Sequence, residues 1–325
     1  MNRFDVSTWS AFQPSRRGLD LSRFEKERAV VLEICARVAA EGDSALREYG
    51  AKFDGWTPRS EEKFEVASSE LAAAAGRVDK RDFEALEFAA TRIRDFHSRQ
   101  VEVSTSDPSG LELISRPVRR AGLYAPGGRA AYPSTVLMTA IPARVAGVQE
   151  VVLASPPRAD GTVPDSILAA AQIAGVDTVY RMGGAQAIAA MAYGTESIKR
   201  VDLIAGPGNM YVNLAKREVF GTVGVDGIAG PTEVMVIADA SARPDFVAAD
   251  LAAQLEHDPM AVAVLVTDSA AFADRVEEEL DNLLLGLERA DIIRAATCSA
   301  IVVRDLDEAM KIANEYAPEH LLIVT

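Results

Sequence analysis

The pattern after Tyr124 constrains this chain most: short apolar runs rich in β-branched residues alternate with helix-like stretches and glycine turns. Residues 151–154 read as a strand and 166–174 as a helix. Residues 178–181 read as a strand that runs into Gly183-Gly184 and a helix from Ala185. Residues 201–205 read as a strand that runs into Gly206-Pro207-Gly208-Asn209 and a further helix. A second series follows Gly230-Pro231, with strands at 234–238, 261–267, 300–303 and 321–324 and helices near 245–257, 270–288 and 306–316. Alternation of this kind marks an open, mostly parallel sheet covered by helices. The expected fold class is α/β, with two incomplete Rossmann-like domains built on parallel sheets.

The part before Tyr124 is less regular. Residues 1–20 are polar, carry Trp9, Phe12 and Pro14, and read as a short N-terminal arm. From 25 to 50, Val31, Ile34, Cys35 and Val38 fit one helical face. Gly42-Asp43 breaks it, and Asp43 is placed to cap a short following helix. Residues 80–99 form another helix, with Phe83, Leu86, Ala90, Ile93 and His97 at helical spacing. Residues 101–124 read as strands around an Asp107-Pro108-Ser109-Gly110 turn. The last residues, Val324-Thr325, fall inside a strand. A buried strand seldom closes a domain, so a C-terminally truncated piece is expected; a natural edge strand is the alternative.

A formal charge of −14 argues against nucleic acid or an anionic membrane as the main partner and leaves a small or zwitterionic substrate open. Cys35 and Cys298 are far apart and form no disulfide framework or CxxC site, which fits a reducing, cytoplasmic setting. The N-terminus lacks the apolar core of a secretion signal, and no apolar run is long enough to span a bilayer.

Only three histidines occur, and two stand beside glutamates, in Gln254-Leu255-Glu256-His257 and Pro318-Glu319-His320. Histidine is the side chain best placed to move protons near neutral pH or to bind a metal. At i and i+3 on a helix, Gln254 and His257 leave one face and can present two ligands to a metal. An amide oxygen is an uncommon zinc ligand, and a capping or surface pair is the alternative. Adjacent Glu319 and His320 can supply two proton-transfer groups of different pKa, against a solvated helix-terminal pair. Sites in open α/β folds lie beyond the carboxyl ends of strands, whereas this pair enters one, so fold position lends it little support. His97, on the apolar side of its helix, reads as structural. Gly230-Pro231-Thr232-Glu233 falls between the two α/β series, where clefts form.

Gly127-Gly128, Gly183-Gly184 and Gly206-Pro207-Gly208 each follow a strand, and two of these turns open a helix directly. Glycine lets the backbone approach a phosphate, and a helix N-terminus offers unpaired N–H groups. None is a GxGxxG with a downstream acid, so the dinucleotide fingerprint is absent. Each turn alone is ordinary loop chemistry; three in one series favour a phosphate-bearing ligand.

Taken in order, Tyr124-Ala-Pro-Gly-Gly128, Gly183-Gly-Ala-Gln-Ala-Ile188, Gly206-Pro-Gly-Asn209, Ala229-Gly-Pro-Thr-Glu233, Gln254-xx-His257 and Pro318-Glu-His-Leu321 resemble the histidinol dehydrogenases. Phe53-Asp54-Gly55 fits too, and the likeness runs from about residue 25 to the last residue. The resemblance implies oxidation of L-histidinol to L-histidine through a bound aldehyde, the last step of histidine biosynthesis, with NAD⁺ and Zn²⁺ as cofactors. It implies that His320 takes the alcohol's proton in the first oxidation and that Glu319 activates water for the second. It implies Tyr124, Gln186 and Asn209 as NAD contacts. Gln254 and His257 become two zinc ligands, and with Thr232 and His320 they meet the substrate. Thr232 stands where the family usually has a serine. The resemblance further implies a homodimer whose active site the partner chain completes, with an aspartate and a histidine beyond residue 325 as the remaining zinc ligands.

On this basis the expected domains are an arm at 1–20, a discontinuous α/β domain at 21–123 and 232–325, and an NAD-binding domain at 124–231. Two other readings stay open. One is a paralogous zinc- and NAD-dependent dehydrogenase of another small polar alcohol, such as a sulfopropanediol, toward which Thr232 points. The other is a truncated, inactive nucleotide-binding fragment.

Overall fold

The computed structural model describes residues 1–9, 24–59, 63–100, 104–127, 131–228 and 230–325. The chain divides into a terminal unit, Met1–Asp20 with Ala229–Thr325, and a central unit, Leu21–Ile228. Each holds a five-stranded, all-parallel sheet, as the α/β reading expects.

The expected arm begins as a strand, β1 (Asn2–Asp5), which joins the terminal unit's sheet, and Trp9 is buried in that unit's core. The apolar Phe4 and Trp9 need cover, and the edge of a sheet provides it. Phe12 and Pro14 lie outside the described residues.

The central unit opens with α1 (Glu25–Glu41) and α2 (Asp43–Tyr49). A π-helical turn over Gly50–Asp54 follows and stops at left-handed Gly55. Next come α3 (Ser68–Ala74), α4 (Lys80–His97) and an antiparallel pair, β2 (Thr105–Ser106) with β3 (Glu112–Leu113). The parallel part runs β4 (Arg120–Tyr124), α5 (Pro133–Val145), β5 (Glu150–Ser155), α6 (Asp165–Ala174), β6 (Thr178–Arg181) and α7 (Gly184–Tyr193). It closes with β7 (Leu203–Ala205), α8 (Met210–Val219) and β8 (Gly224–Val225).

Across this sheet the order is β6-β5-β4-β7-β8. The winding reverses between β4 and β7, and such a switch point opens a crevice beyond the carboxyl ends of its strands. α5 did not stand out in the sequence because it is apolar almost all round, with Val136, Leu137, Ala140 and Ile141 buried, Met138 exposed and Pro142 inside it. Asp43 does not cap α2. It is the helix's first residue, after Gly42 at φ 54°, and its carboxylate accepts from Ser197 Oγ (2.9 Å).

The terminal unit resumes with β9 (Glu233–Ala238), α9 (Pro244–Leu255), β10 (Val262–Thr267) and α10 (Ala270–Leu284). It ends with α11 (Ala290–Ala295), β11 (Thr297–Val302), α12 (Leu306–Tyr316) and β12 (His320–Val324). The order is β1-β11-β10-β9-β12, so the winding reverses again, between β9 and β12.

Residues 21–123 pack with the central unit, not with 232–325 as the sequence suggested. A parallel sheet needs both faces covered. α1 lies against α7 and α8, and α4 lies against α5 and α6. Phe64 and Val66 also bond along β6: Val66 N–H to Val179 O (2.8 Å) and Arg181 N–H to Phe64 O (2.7 Å).

Candidate active site

The central unit gathers its candidates at the switch point. β4 is buried throughout and ends at Tyr124, while β7 runs into Gly206-Pro207-Gly208-Asn209. Gly206 has φ 121°, and a Cβ there would overlap the Tyr124 carbonyl oxygen, so only glycine lets these two backbones meet. The loop is tied from below. Gly206 N–H donates to Asp226 Oδ2 (2.8 Å), and the buried Lys216 ammonium donates to Asp226 Oδ1 (2.6 Å) and to the Gly206 carbonyl (2.5 Å). Asn209 caps α8, its Oδ1 accepting Val212 N–H at 3.2 Å, and is exposed.

The Gly183-Gly184 turn opens α7, but protein groups already occupy its amides. Gly184 N–H donates to the Tyr124 hydroxyl (3.1 Å), and Gly183 N–H donates to the Asp54 carboxylate. Gln186 Nε2 reaches Asp54 Oδ2 at 3.4 Å. That occupancy corrects the expectation of free phosphate-binding amides at this turn. Burial pushes the Tyr124 phenol up to about 12, with the Asp54 charge adding to the rise, so the hydroxyl keeps its proton. Burial likewise raises Asp54 to about 6.

Tyr124 and Gln186 therefore share one buried cluster, and Asn209 sits on the adjoining loop. The glycine approach, the exposed Asn209 and the neutral phenol suit a polar nucleotide at this crevice. Gly127 follows Tyr124 closely, and Gly128 lies outside the described residues.

The terminal unit gathers its candidates at the opposite, amino end of its sheet. Thr232 stands just before β9 and Glu233 begins it, Gln254 sits in the last turn of α9, and Glu319-His320 enter β12. Gln254 Nε2 donates to Thr232 Oγ1, which donates to Glu319 Oε2 (3.1 Å). Glu319 Oε2 also accepts Glu233 N–H (3.2 Å), and His320 Nε2 lies 3.8 Å from Glu319 Oε1. Thr232, Gln254, Glu319 and His320 thus form one group, open to solvent, with the Glu319 and His320 side chains 51% and 58% exposed.

His257 departs from expectation. α9 stops at Leu255, so His257 lies in the bend beyond it and not on a shared helical face. Its N–H still bonds to Gln254 O (3.4 Å), which keeps it beside the helix end. Because Gln254 spends Nε2 on Thr232, its Oε1 is the atom left for a metal. The C-terminal pole of a helix also favours a cation. These two donors fit part of a zinc shell. Among the described residues no three His, Cys, Asp or Glu side chains converge to complete one.

His97 is partly buried, with Nδ1 2.6 Å from Gln100 Oε1, and lines a cavity with Pro117, Pro142, Val145 and Ala146. Sequence reasoning left Asp54, Lys216, Asp226 and Glu233 without roles. Lys216 did carry a signal: it shares a helical face with Val212 and Val219, where a cation demands a buried partner.

The chain matches the family described as histidinol dehydrogenase over residues 19–325. It is 51% identical over 300 residues to the histidinol dehydrogenase of Moorella thermoacetica, covering 90% of this chain and 70% of that one. To the enzyme of Geobacillus kaustophilus it is 50% identical over 308 residues, covering 93% and 72%. The crystal structure of histidinol dehydrogenase from Elizabethkingia anophelis superposes with a TM-score of 0.88 at 35% identity, covering 99% of this chain and 75% of that one.

Proposed function

This chain belongs to the histidinol dehydrogenase family and is an oxidoreductase of that type; on that premise we propose that it oxidises L-histidinol to L-histidine through a bound aldehyde. The observation that carries the reading is the Glu319-His320 pair, two proton-transfer groups held beside Thr232 and Gln254. Hydride leaves a carbinol carbon only as its O–H loses a proton, and His320 is the base for that step. An aldehyde must be hydrated before a second hydride can leave, and Glu319 takes the proton from the attacking water.

Two NAD⁺, bound one after the other, would each supply the acceptor for one hydride, and Tyr124, Gln186 and Asn209 would be the contacts that hold it in the central unit. That assigns NAD binding to residues 124–231. Gln254 and His257 would hold zinc, whose positive charge fixes the amine and imidazole of the substrate; Thr232 touches the same substrate. The reading includes a homodimer and a cytoplasmic location, in keeping with the family. Among the described residues no helix is long and apolar enough to cross a membrane.

Thr232 favours one second reading, since its extra methyl where the family usually has serine suits a paralogue acting on another small polar alcohol. The deciding assay is NADH formation by the zinc-loaded protein, with L-histidinol and a sulfopropanediol offered separately. Two NADH per histidinol supports the proposal. Turnover of the diol alone transfers it to the paralogue.

A further inference from the structure

Glu233, a carboxylate to which neither the motifs nor the reaction assigns a role, closes the terminal unit's site. It begins β9, and Glu319 stands just before β12; the two clasp each other reciprocally. Glu233 N–H donates to Glu319 Oε2 (3.2 Å), and Glu319 N–H donates to Glu233 Oε1 (3.2 Å). The second Glu233 oxygen accepts the Tyr316 hydroxyl (3.2 Å).

Between Tyr316 and Glu319 lies Ala317 at φ 51°, the one non-glycine with a positive φ among the described residues. An L-residue holds that conformation only where its surroundings over-determine it. Ala317 is the left-handed C-cap of α12, its N–H bonded to Ala313 O (2.7 Å), and the one Glu233 carboxylate holds Tyr316 and Glu319 to either side of it.

The consequence falls on Glu319. Its Oε2 is taken by Thr232 and by the Glu233 amide, while Oε1, on the His320 side, accepts no hydrogen bond among the described residues. We propose that Glu233 is a positioning residue whose carboxylate locks the Tyr316–Glu319 turn, so that Glu319 offers Oε1 to the water that hydrates the aldehyde. This rests on the reading of Glu319 as the base of the second oxidation.

The test compares Glu233→Ala, Glu233→Gln, Tyr316→Phe, Glu319→Gln and the Glu233→Ala/Glu319→Gln double variant, each as intact zinc-loaded protein. Alcohol oxidation is read from histidinol in a single turnover, and aldehyde oxidation from supplied histidinaldehyde. Glu233→Ala slows the aldehyde step on the order of tenfold, with the alcohol step and its KM little changed. Glu233→Gln, which keeps one acceptor oxygen, recovers part of the loss, and Tyr316→Phe shows a smaller loss in the same direction. The double variant is no slower than Glu319→Gln alone, because both changes remove one coupled function.

Equal slowing of both steps by Glu233→Ala, or additive losses in the double variant, overturns the positioning role. If Glu233→Ala does not fold, Glu233→Gln and Tyr316→Phe decide by the same split between steps. A Glu319→Gln protein with normal aldehyde oxidation sinks the underlying base assignment instead, whatever Glu233 does.

Discussion

The two sheets are wound alike and gather their candidate residues at opposite ends. In the central unit, Tyr124 and the Gly206–Asn209 loop lie beyond the carboxyl ends of β4 and β7. In the terminal unit, Thr232, Gln254 and Glu319 meet before the amino ends of β9 and β12. Carboxyl ends place helix N-termini and their amides at the site, which suits anionic ligands. Amino ends place helix C-termini there, which suits cations and bases that must accept a proton. One architecture thus offers two chemistries. The central cluster is also buried and pre-bonded, with Tyr124 3% and Gln186 2% exposed, while the terminal pair is half open.

The largest effect should fall on the open end. His320→Asn is expected to lower the first oxidation about 10²–10⁴-fold, whereas Glu319→Gln spares it and blocks oxidation of the aldehyde. NADH formation from each substrate checks this, and equal loss of both steps in Glu319→Gln breaks the division of labour.

Next comes the clamp on the buried Lys216. Asp226→Ala leaves the buried Lys216 ammonium without its half-exposed carboxylate and should cost about 1–3 kcal/mol in denaturant unfolding, with a raised KM for NAD⁺. Asp245→Ala, which breaks the exposed Arg243–Asp245 pair of the terminal unit, should cost under about 1 kcal/mol. Similar losses in the two variants would erase the contrast between a locked and an open unit.

Gly206→Ala should cost about 1–3 kcal/mol and weaken NAD⁺ binding, since the added methyl meets the Tyr124 carbonyl at a φ of 121°. Titration calorimetry with NAD⁺ reads the binding, and unchanged affinity would separate the Gly206 approach from the nucleotide site.

The smallest expected effect is a pH dependence. Asp54 sits at about 6, up from 3.8, so the folded state holds this proton more tightly than the unfolded chain. Its contribution to stability is full below 3.8 and is lost as pH rises through about 6. Melting curves should therefore favour Asp54→Asn over the parent more at pH 7.5 than at pH 4.5. A difference that does not vary with pH would mean Asp54 is not a proton-binding part of the buried cluster.

Much of the architecture was legible because strand and helix periods are local. The strand at 178–181 matches β6 residue for residue, and the second series recovered β9 to β12 with shifts only at their ends. What escaped depended on contacts distant in sequence. The cap expected from Asp43 gave way to a bond with Ser197, and α5 hid behind its apolar surround. The grouping of 21–123 with 232–325 failed because no local pattern says which sheet face a helix will cover.

The sequence by itself determined the α/β class, the positions of the glycine turns and the family motifs, since each is written in a few neighbouring residues. Only the tertiary structure decided that the Gly183-Gly184 amides are already taken, that Lys216 anchors the Gly206 loop, and that Glu233 and Glu319 clasp each other across 86 positions. Hydrogen bonds between residues so far apart exist only once the sheets are wound, because the winding alone brings the donors within reach of their acceptors.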